Sequence, residues 1–176
     1  MINDKSPEVA PLPLSFTFSA MKLLSVLFSV LCLLSSALLA APIHEKQSEP
    51  LRIAQGAEVD LTDYLVPGKT VVFDFTSKFC GPCRAYDQPL HDLHARRADI
   101  VVVKVDINRP DISGIDWQSP VARQFDLHSI PHFKVYSPAG KLLAEDKIVF
   151  GPDGRPDRAL SSNAGRRLVD GWIGRQ

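Results

Sequence analysis

Apolar segments and turn-forming residues alternate along the chain from residue 51 onward. Runs rich in β-branched and aromatic residues predict strands at 51–53, 70–76, 100–107 and 132–137, and a hairpin partner for the last of these at 142–150. The run IVVVKVDI at 100–107 is almost wholly apolar, which is typical of a central strand covered on both faces. The segment GPDGRPDR, which follows residue 150, is predicted to be a loop.

Helical patterns separate these strands. Asp60 can cap a short helix that reaches Tyr64, and Ser119 with Pro120 forms a cap and first turn for a second short helix ending at Phe125. The longest helix is predicted over 80–97, with one apolar face formed by Tyr86, Leu90 and Leu93. We expect His91 and His94 to lie on its exposed side.

The order of elements, read as β-α-β-α-β-β-α, predicts an α/β fold with a central mixed β-sheet flanked by helices. A last helix at about 163–173 is expected to pack on this sheet. Its predicted core positions are Leu168, Val169, Trp172 and Ile173.

The first fifty residues are predicted to lie outside this domain. The stretch 23–41 carries no charge and follows Met21-Lys22, which is the order of a signal peptide's basic and apolar regions, although an uncleaved membrane anchor of that length stays open. We interpret residues 1–20 as a non-native or unstructured extension, residues 21–41 as the signal or anchor, 42–50 as a linker and 51–176 as the domain. A cleaved signal peptide and an uncleaved anchor both place the domain outside the cytoplasm, in the periplasm or secreted. An anchor would in addition tether the domain to the inner membrane.

Charge and cysteine content narrow the function classes. The chain has 20 basic and 20 acidic residues, which offers no electrostatic case for binding nucleic acid or an anionic membrane surface. Cys32 lies within the apolar stretch, so the predicted domain contains only Cys80 and Cys83. A structural bridge over so short a loop adds little stability, and a zinc site generally needs four ligands, so both alternatives are weak.

The sequence around these cysteines resembles the thioredoxin family. Cys80-Gly81-Pro82-Cys83 is similar to the family's active-site motif, placed between a strand and a helix. Further similarities lie at Asp74, Lys104, Ile130 and Pro131, which match the family's buried acid, a lysine of the next strand, and the isoleucine and cis-proline beside the thiols. The resemblance covers roughly residues 70–151 and implies a thioredoxin-like fold.

The resemblance implies thiol:disulfide exchange, and physical chemistry supports the roles. The N-terminal end of a helix stabilises a thiolate, so Cys80 is the nucleophile and Cys83, about one turn further, is the resolving thiol. Burial raises the pKa of a carboxyl group toward neutrality, so Asp74 can accept the proton of the resolving thiol, and a nearby Lys104 would keep that pKa in range. The alternatives are a capped or water-bonded Asp74 and a Lys104 that extends to solvent.

The resemblance also implies which residues contact substrate. These are Ile130 and Pro131, whose backbone would pair with an extended segment, together with Gly81 and Pro82 of the motif.

Several positions depart from the family pattern. Phe79 and Thr76 stand where tryptophans are common, and Pro89 lies one position later than the family's helix proline. His132 follows the proline in place of a threonine. A charged His132 near Cys80 would stabilise its thiolate and raise the reduction potential, which we state as a hypothesis.

The sequence therefore predicts an exported protein-disulfide reductase, since the Gly-Pro pair and Ile130 resemble the reducing members of the family. Its expected partners are disulfide-containing proteins and a membrane-bound electron donor. We expect it to be a monomer that needs no cofactor and no metal and binds no nucleic acid. The alternatives are a dithiol oxidase or isomerase of the same fold, and a non-catalytic assembly or binding module that would use the 108–118 loop.

Overall fold

The computed structural model of the chain describes residues 45–175. The predicted extension at 1–20 and the signal or anchor at 21–41 lie outside these residues. Within the described part, no helix is both long and apolar enough to cross a membrane.

A six-stranded mixed sheet forms the centre of the domain, in the order β1-β3-β2-β4-β5-β6. The strands are β1 (Leu51–Ile53), β2 (Thr70–Thr76), β3 (Ile100–Asp106), β4 (His132–Tyr136), β5 (Leu142–Lys147) and β6 (Ser162–Asn163). β3 pairs in parallel with β1 and β2, whereas β4 pairs antiparallel with β2, β5 with β4, and β6 with β5. The predicted α/β fold with a mixed sheet is confirmed.

Within residues 45–175, three α-helices and one 3-10 helix accompany these strands. They are the 3-10 helix Leu61–Tyr64, α1 (Gly81–Arg96), α2 (Pro120–Gln124) and α3 (Ala164–Ile173). The predicted caps are present: the Asp60 carboxylate accepts the Thr62 N–H at 2.8 Å, and the Ser119 hydroxyl accepts the Ala122 N–H at 3.2 Å. α1 continues through Pro89.

Side chains alternate between the two faces of the sheet, so each face has its own apolar core. One core joins Val71, Phe73 and Phe75 of β2 to Leu61 of the 3-10 helix and Val121 of α2. The opposite core joins Val72 and Val102 to residues of α1 and α3, among them Tyr86, Leu90, Leu93 and Val169. Asp74 follows Val72 by two residues, so it belongs to the face covered by α1.

The region after β5 differs from the prediction. β5 ends at Lys147 rather than at residue 150, and Phe150 instead forms an isolated antiparallel bridge with Pro156. The two-residue strand β6 was not predicted, because so short a segment has no periodicity to read. Residues 148–161 thus form a long connection that returns to the sheet just before α3.

The prediction that His94 is exposed was wrong, since the residue is only 1% exposed. Its Nδ1 accepts the Val102 N–H at 3.0 Å and its Nε2 lies 2.9 Å from the Gln47 carbonyl oxygen. Lys46 donates to the carbonyl oxygens of His94 and Arg97. Residues 45–50 of the predicted linker therefore lie against α1.

Candidate functional site

The two cysteines lie at the start of α1 and are joined by a disulfide. Cys80 is the N-cap residue, and its Sγ accepts the Cys83 N–H at 3.1 Å, so an unpaired backbone donor of the helix points at this sulfur. Pro82 fits in the first turn because that position needs no N–H partner. Both cysteines are buried, at 1% and 2% exposure, whereas Gly81 and Pro82 are exposed.

The backbone of the Ile130–Pro131 pair lies beside the disulfide. The peptide bond between these residues is cis, and the Ile130 carbonyl oxygen is 3.7 Å from Cys80 Sγ. β2 and β4 are antiparallel neighbours, with Phe75 opposite His132, which brings the start of β4 to the same end of the sheet as Cys80.

Asp74 is a carboxyl group inside the core, 1% exposed, and neither of its oxygens has a hydrogen-bond partner within residues 45–175. Burial raises the pKa of Asp74 to about 7, while the charge of Lys104 acts to lower it and that of Asp87 to raise it. At neutral pH the group therefore exchanges a proton readily, as a general base must. The alternative of a capped strand acid does not describe this carboxyl group.

Lys104 is the parallel neighbour of Asp74 in β3, but its ammonium group binds the carboxylate of Asp87 on α1. Its side chain is 11% exposed, so it does not extend into solvent. Asp87 and Lys104 together act on Asp74 through charge, since Asp74 forms no hydrogen bond with either. Asp87 was not among the predicted site residues, although its place seven residues after Cys80 puts it on the same side of α1.

His132 is buried, and burial lowers its pKa to about 4. The ring packs edge-on against Phe75, with centroids 5.4 Å apart, and lines a cavity of about 140 Å³ together with His128 and Lys134. Because the imidazole is neutral at pH 7, it supplies no positive charge to a thiolate. The hypothesis of a charged His132 is therefore not supported.

A buried polar network holds the turn before the cysteines, and the sequence did not reveal it. Ser77 donates its hydroxyl hydrogen to Asn108 Oδ1 at 2.5 Å, and its Oγ accepts the Phe79 N–H at 3.1 Å. Asn108 Nδ2 donates to the Gly114 carbonyl oxygen at 2.6 Å. The network thus links the turn at residues 77–80, called the redox turn below, to the loop that follows β3.

A second network holds the cis-proline segment. Arg166 of α3 donates from Nη2 to the Pro131 carbonyl oxygen at 2.6 Å. Asp146 accepts the backbone N–H groups of Phe133 at 3.0 Å and of Arg166 at 2.9 Å. The charged residues 145–147, in the middle of the strand predicted over 142–150, were the one signal in the sequence for this contact.

Among residues 45–175, no group of three or more His, Cys, Asp or Glu side chains is placed to hold a metal ion.

Comparison with known proteins identifies the family. The thioredoxin family model matches residues 58–149. This chain belongs to the thioredoxin family. The thioredoxin-like fold expected from the motif is therefore confirmed, since the mixed sheet and its helices agree with it.

The curated relatives cover only part of the chain. Thioredoxin H2-2 of Oryza sativa subsp. japonica is 37% identical over 67 residues, which are 38% of this chain and 44% of that protein. The thioredoxin of Mycolicibacterium smegmatis is 34% identical over 71 residues, which are 40% of this chain and 58% of that protein. The chain thus spans about half the length of these curated relatives.

Among solved structures, this chain is similar to a mutant thioredoxin from Halobacterium salinarum NRC-1. It is 21% identical, with a TM-score of 0.45, and the match covers 74% of this chain and 96% of that one.

Proposed function

We propose that this protein is an exported thiol:disulfide oxidoreductase that reduces disulfide bonds in other proteins through Cys80 and Cys83. The observation that carries the proposal is the bonded cysteine pair at the N-terminus of α1, 3.7 Å from the Ile130 carbonyl oxygen. Buried Asp74, with its pKa near 7, supplies a proton acceptor on the sheet face beneath the same helix.

The reaction transfers two electrons from the cysteine pair to the substrate. The Cys80 thiolate attacks one sulfur of a substrate disulfide, a mixed disulfide forms, and the other substrate sulfur leaves as a thiolate. Cys83 then loses its proton to Asp74 and attacks Cys80 Sγ. The second substrate thiolate leaves, and the pair ends in the bonded state that the structure describes.

Substrate segments are proposed to bind along Ile130 and Pro131. An extended peptide that approaches this backbone can add hydrogen bonds of the β type, which do not depend on its sequence. Gly81 and Pro82, between the two cysteines, are exposed and would also contact the substrate segment.

A reductase in an exported compartment needs a supply of electrons, because such compartments are oxidising. We therefore propose that a membrane-bound donor reduces the Cys80–Cys83 disulfide. The uncharged stretch 23–41 supports export, as a cleaved signal or as a tether to the inner membrane. Cell fractionation with and without residues 21–41 tests this part of the proposal, and a cytoplasmic full-length chain would contradict it.

Insulin reduction tests the activity. With a small dithiol as electron source, the wild-type protein should accelerate insulin precipitation, and Cys80→Ser should abolish the acceleration. Cys83→Ser should instead accumulate a mixed disulfide with substrate, visible by mass spectrometry. Wild-type acceleration that survives in Cys80→Ser would contradict the enzymatic proposal.

A redox titration of the cysteine pair tests the direction. A midpoint of about −270 mV, in the thioredoxin range, supports a reductant, whereas about −120 mV supports the alternative of a dithiol oxidase.

A further inference from the structure

A cavity of about 360 Å³ opens beside the cis-proline segment, between the connection after β5 and the start of α3. Its polar lining includes Ser129 from the loop before Ile130, Ser161 and Ser162 from the connection, and three basic residues. These basic residues are Lys147, Arg158 and Arg166.

The lining of this cavity has more basic than acidic residues. None of its three basic residues forms an ion pair within residues 45–175. Asp146 is the only acid among the lining residues within 45–175, and its two oxygens accept the backbone N–H groups of Phe133 and Arg166. Arg166 Nε is buried and has no hydrogen-bond partner among the described residues, so the Arg166 guanidinium is only partly satisfied by protein atoms.

The cavity is close to the reacting sulfur. Arg166 Nη2 is 2.6 Å from the Pro131 carbonyl oxygen, and the Ile130 carbonyl oxygen is 3.7 Å from Cys80 Sγ. The two carbonyl groups belong to adjacent residues, so they are separated by one residue of backbone. Together with the two distances above, this separation places the Arg166 guanidinium within roughly 12 Å of Cys80 Sγ. An extended peptide covers that distance in about three or four residues.

The segment that forms this wall lies beyond the residues that the family model matches. The family match ends at residue 149, whereas Arg158, Ser161, Ser162 and Arg166 lie beyond it. The connection from Ile148 to Ser161 is also far longer than a common hairpin loop of two to five residues, and connections of such length are uncommon within compact domains.

From these observations we propose that the cavity is a specificity subsite that binds an Asp or Glu side chain of the substrate, about three or four residues from the reacting cysteine. The proposal rests on the reductase function proposed above. A carboxylate in the cavity gains the charge of three cations that form no ion pair within residues 45–175, and the hydroxyl donors of Ser129 and Ser162. A neutral or basic side chain at that position gains neither.

Short synthetic peptides test the subsite directly. Each carries one cysteine in a disulfide with thionitrobenzoate, and Asp, Asn or Lys at the third or fourth position on either side. Attack of Cys80 on the peptide sulfur releases the coloured thiolate, and Cys83 then frees the peptide thiol, so release measures the rate of the first step. The quantity of interest is the ratio of the second-order rate constants for the Asp and Asn peptides.

For the wild-type protein at low salt, the Asp peptide should react about three- to tenfold faster than the Asn peptide, which corresponds to one or two partly exposed ion pairs. High salt should reduce this ratio toward one. Arg158→Gln should lower the ratio, and Arg158→Glu should lower it further toward one, because that substitution adds a second acid to a lining that keeps Lys147 and Arg166.

Arg155→Gln is the matched control. Arg155 lies in the same connection and carries the same charge, but its side chain is 86% exposed and does not line the cavity. Its replacement should leave the wild-type ratio unchanged. Equal loss of preference in Arg155→Gln and Arg158→Gln would overturn the subsite, because only the total charge would then matter.

Failure of the subsite and failure of the reductase function give different results. If the wild-type protein reduces the Asp and Asn peptides at equal rates, the subsite is refuted and the reductase proposal stands. If it reduces neither peptide and does not reduce insulin, the proposed function itself is refuted.

Discussion

Asp74 keeps its proton to an unusually high pH because its carboxyl group is buried without a hydrogen-bond partner in the described domain. In the unfolded chain the same group ionises near its ordinary pKa of 3.8. Between the two values the unfolded state releases a proton that the native state retains, so stability falls as the pH rises from about 4 to about 7. At about 1.4 kcal/mol per pH unit, the loss approaches 4 kcal/mol.

Asp74→Asn should remove this loss, since an amide does not ionise. The difference in the free energy of unfolding between variant and wild type should therefore shift by about 4 kcal/mol in favour of the variant from about pH 4 to about pH 8. Urea titrations across this range measure it. Asp99→Asn is the control, because a hydrogen bond from Arg97 lowers the pKa of the exposed Asp99 to about 2, so this group is largely ionised in both states from about pH 4 upward and its difference should stay nearly constant. A pH-independent difference for Asp74→Asn would show that Asp74 ionises normally.

The same substitution should slow the redox cycle. Without a proton acceptor the Cys83 thiol resolves the mixed disulfide slowly, so insulin reduction should fall at least about tenfold near pH 7. The deficit should shrink above the ordinary thiol pKa of about 8.5, where Cys83 ionises unaided. A deficit that is constant across this range would argue against a proton-transfer role for Asp74.

His94 shows the opposite linkage, because burial lowers the pKa of this imidazole below 6.5. In the native state the ring is neutral. Its Nδ1 accepts the Val102 N–H, and its Nε2 donates to the Gln47 carbonyl oxygen. Stability conferred by His94 is therefore complete above about pH 6.5 and is lost as the pH falls below it.

We expect His94→Gln to cost about 1–3 kcal/mol above neutral pH, because the buried Val102 N–H loses its acceptor. The cost should decrease toward about pH 5, where the wild-type histidine is itself unfavourable. Urea titrations at both pH values measure it. His128→Gln is the matched control on an exposed loop and should change stability little. An equal cost at both pH values would contradict the linkage.

At the scale of the element, α3 is positioned by how closely it approaches β4. A Cβ added at Gly165 would lie 2.4 Å from the Phe133 carbonyl oxygen and 3.1 Å from the Asp146 backbone nitrogen. Both neighbours are backbone atoms that cannot rotate away, so only glycine permits this contact. The close approach also brings Arg166 to the Pro131 carbonyl.

Gly165→Ala should therefore destabilise the protein by about 1–3 kcal/mol, as overpacking of a fixed contact does. Gly171→Ala is the matched control in the same helix, because nothing lies within 4 Å of its added Cβ. That variant should gain up to about 1 kcal/mol from helix propensity. Thermal unfolding of both variants measures the contrast, and an equal effect at the two sites would contradict the close packing of α3.

At the scale of the whole molecule, the redox turn depends on a loop that follows a different strand. Asn108 is 5% exposed, and it connects Ser77, next to the redox turn, with the Gly114 carbonyl. Asp116 in the same loop receives a bidentate contact from Arg109, at 2.7 and 3.1 Å. The turn before Cys80 is thus supported across the end of the sheet.

Asn108→Ala should destabilise the fold by about 1–3 kcal/mol, because Ser77 and Gly114 lose buried partners. It should also increase proteolytic cleavage between residues 109 and 115, which limited proteolysis can measure. Asn163→Ala is a suitable control, since that exposed N-cap side chain makes no capping bond. Unchanged protease resistance in Asn108→Ala would show that the loop is held by other contacts.

Much of this fold could be predicted from local patterns, and some errors were avoidable. The strand and helix predictions up to β4 agree with the structure within one or two residues, because β-branched runs and capping residues act locally. His94 was misassigned although it follows Leu90 by four residues and therefore lies on the buried face of α1. The end of β5 could not be predicted from a local pattern, because β6 and the Phe150 bridge form by pairing between distant segments.

The sequence by itself determined the order of the elements and the place of the cysteine pair at a strand-to-helix junction, because hydrophobic periodicity and capping operate over a few residues. Only the tertiary structure decided that Lys104 binds Asp87 rather than Asp74, and that Arg166 holds Pro131. It also decided how far water is excluded from Asp74 and His132, and so their pKa values. These properties depend on distances between residues far apart in the chain, which no local pattern encodes.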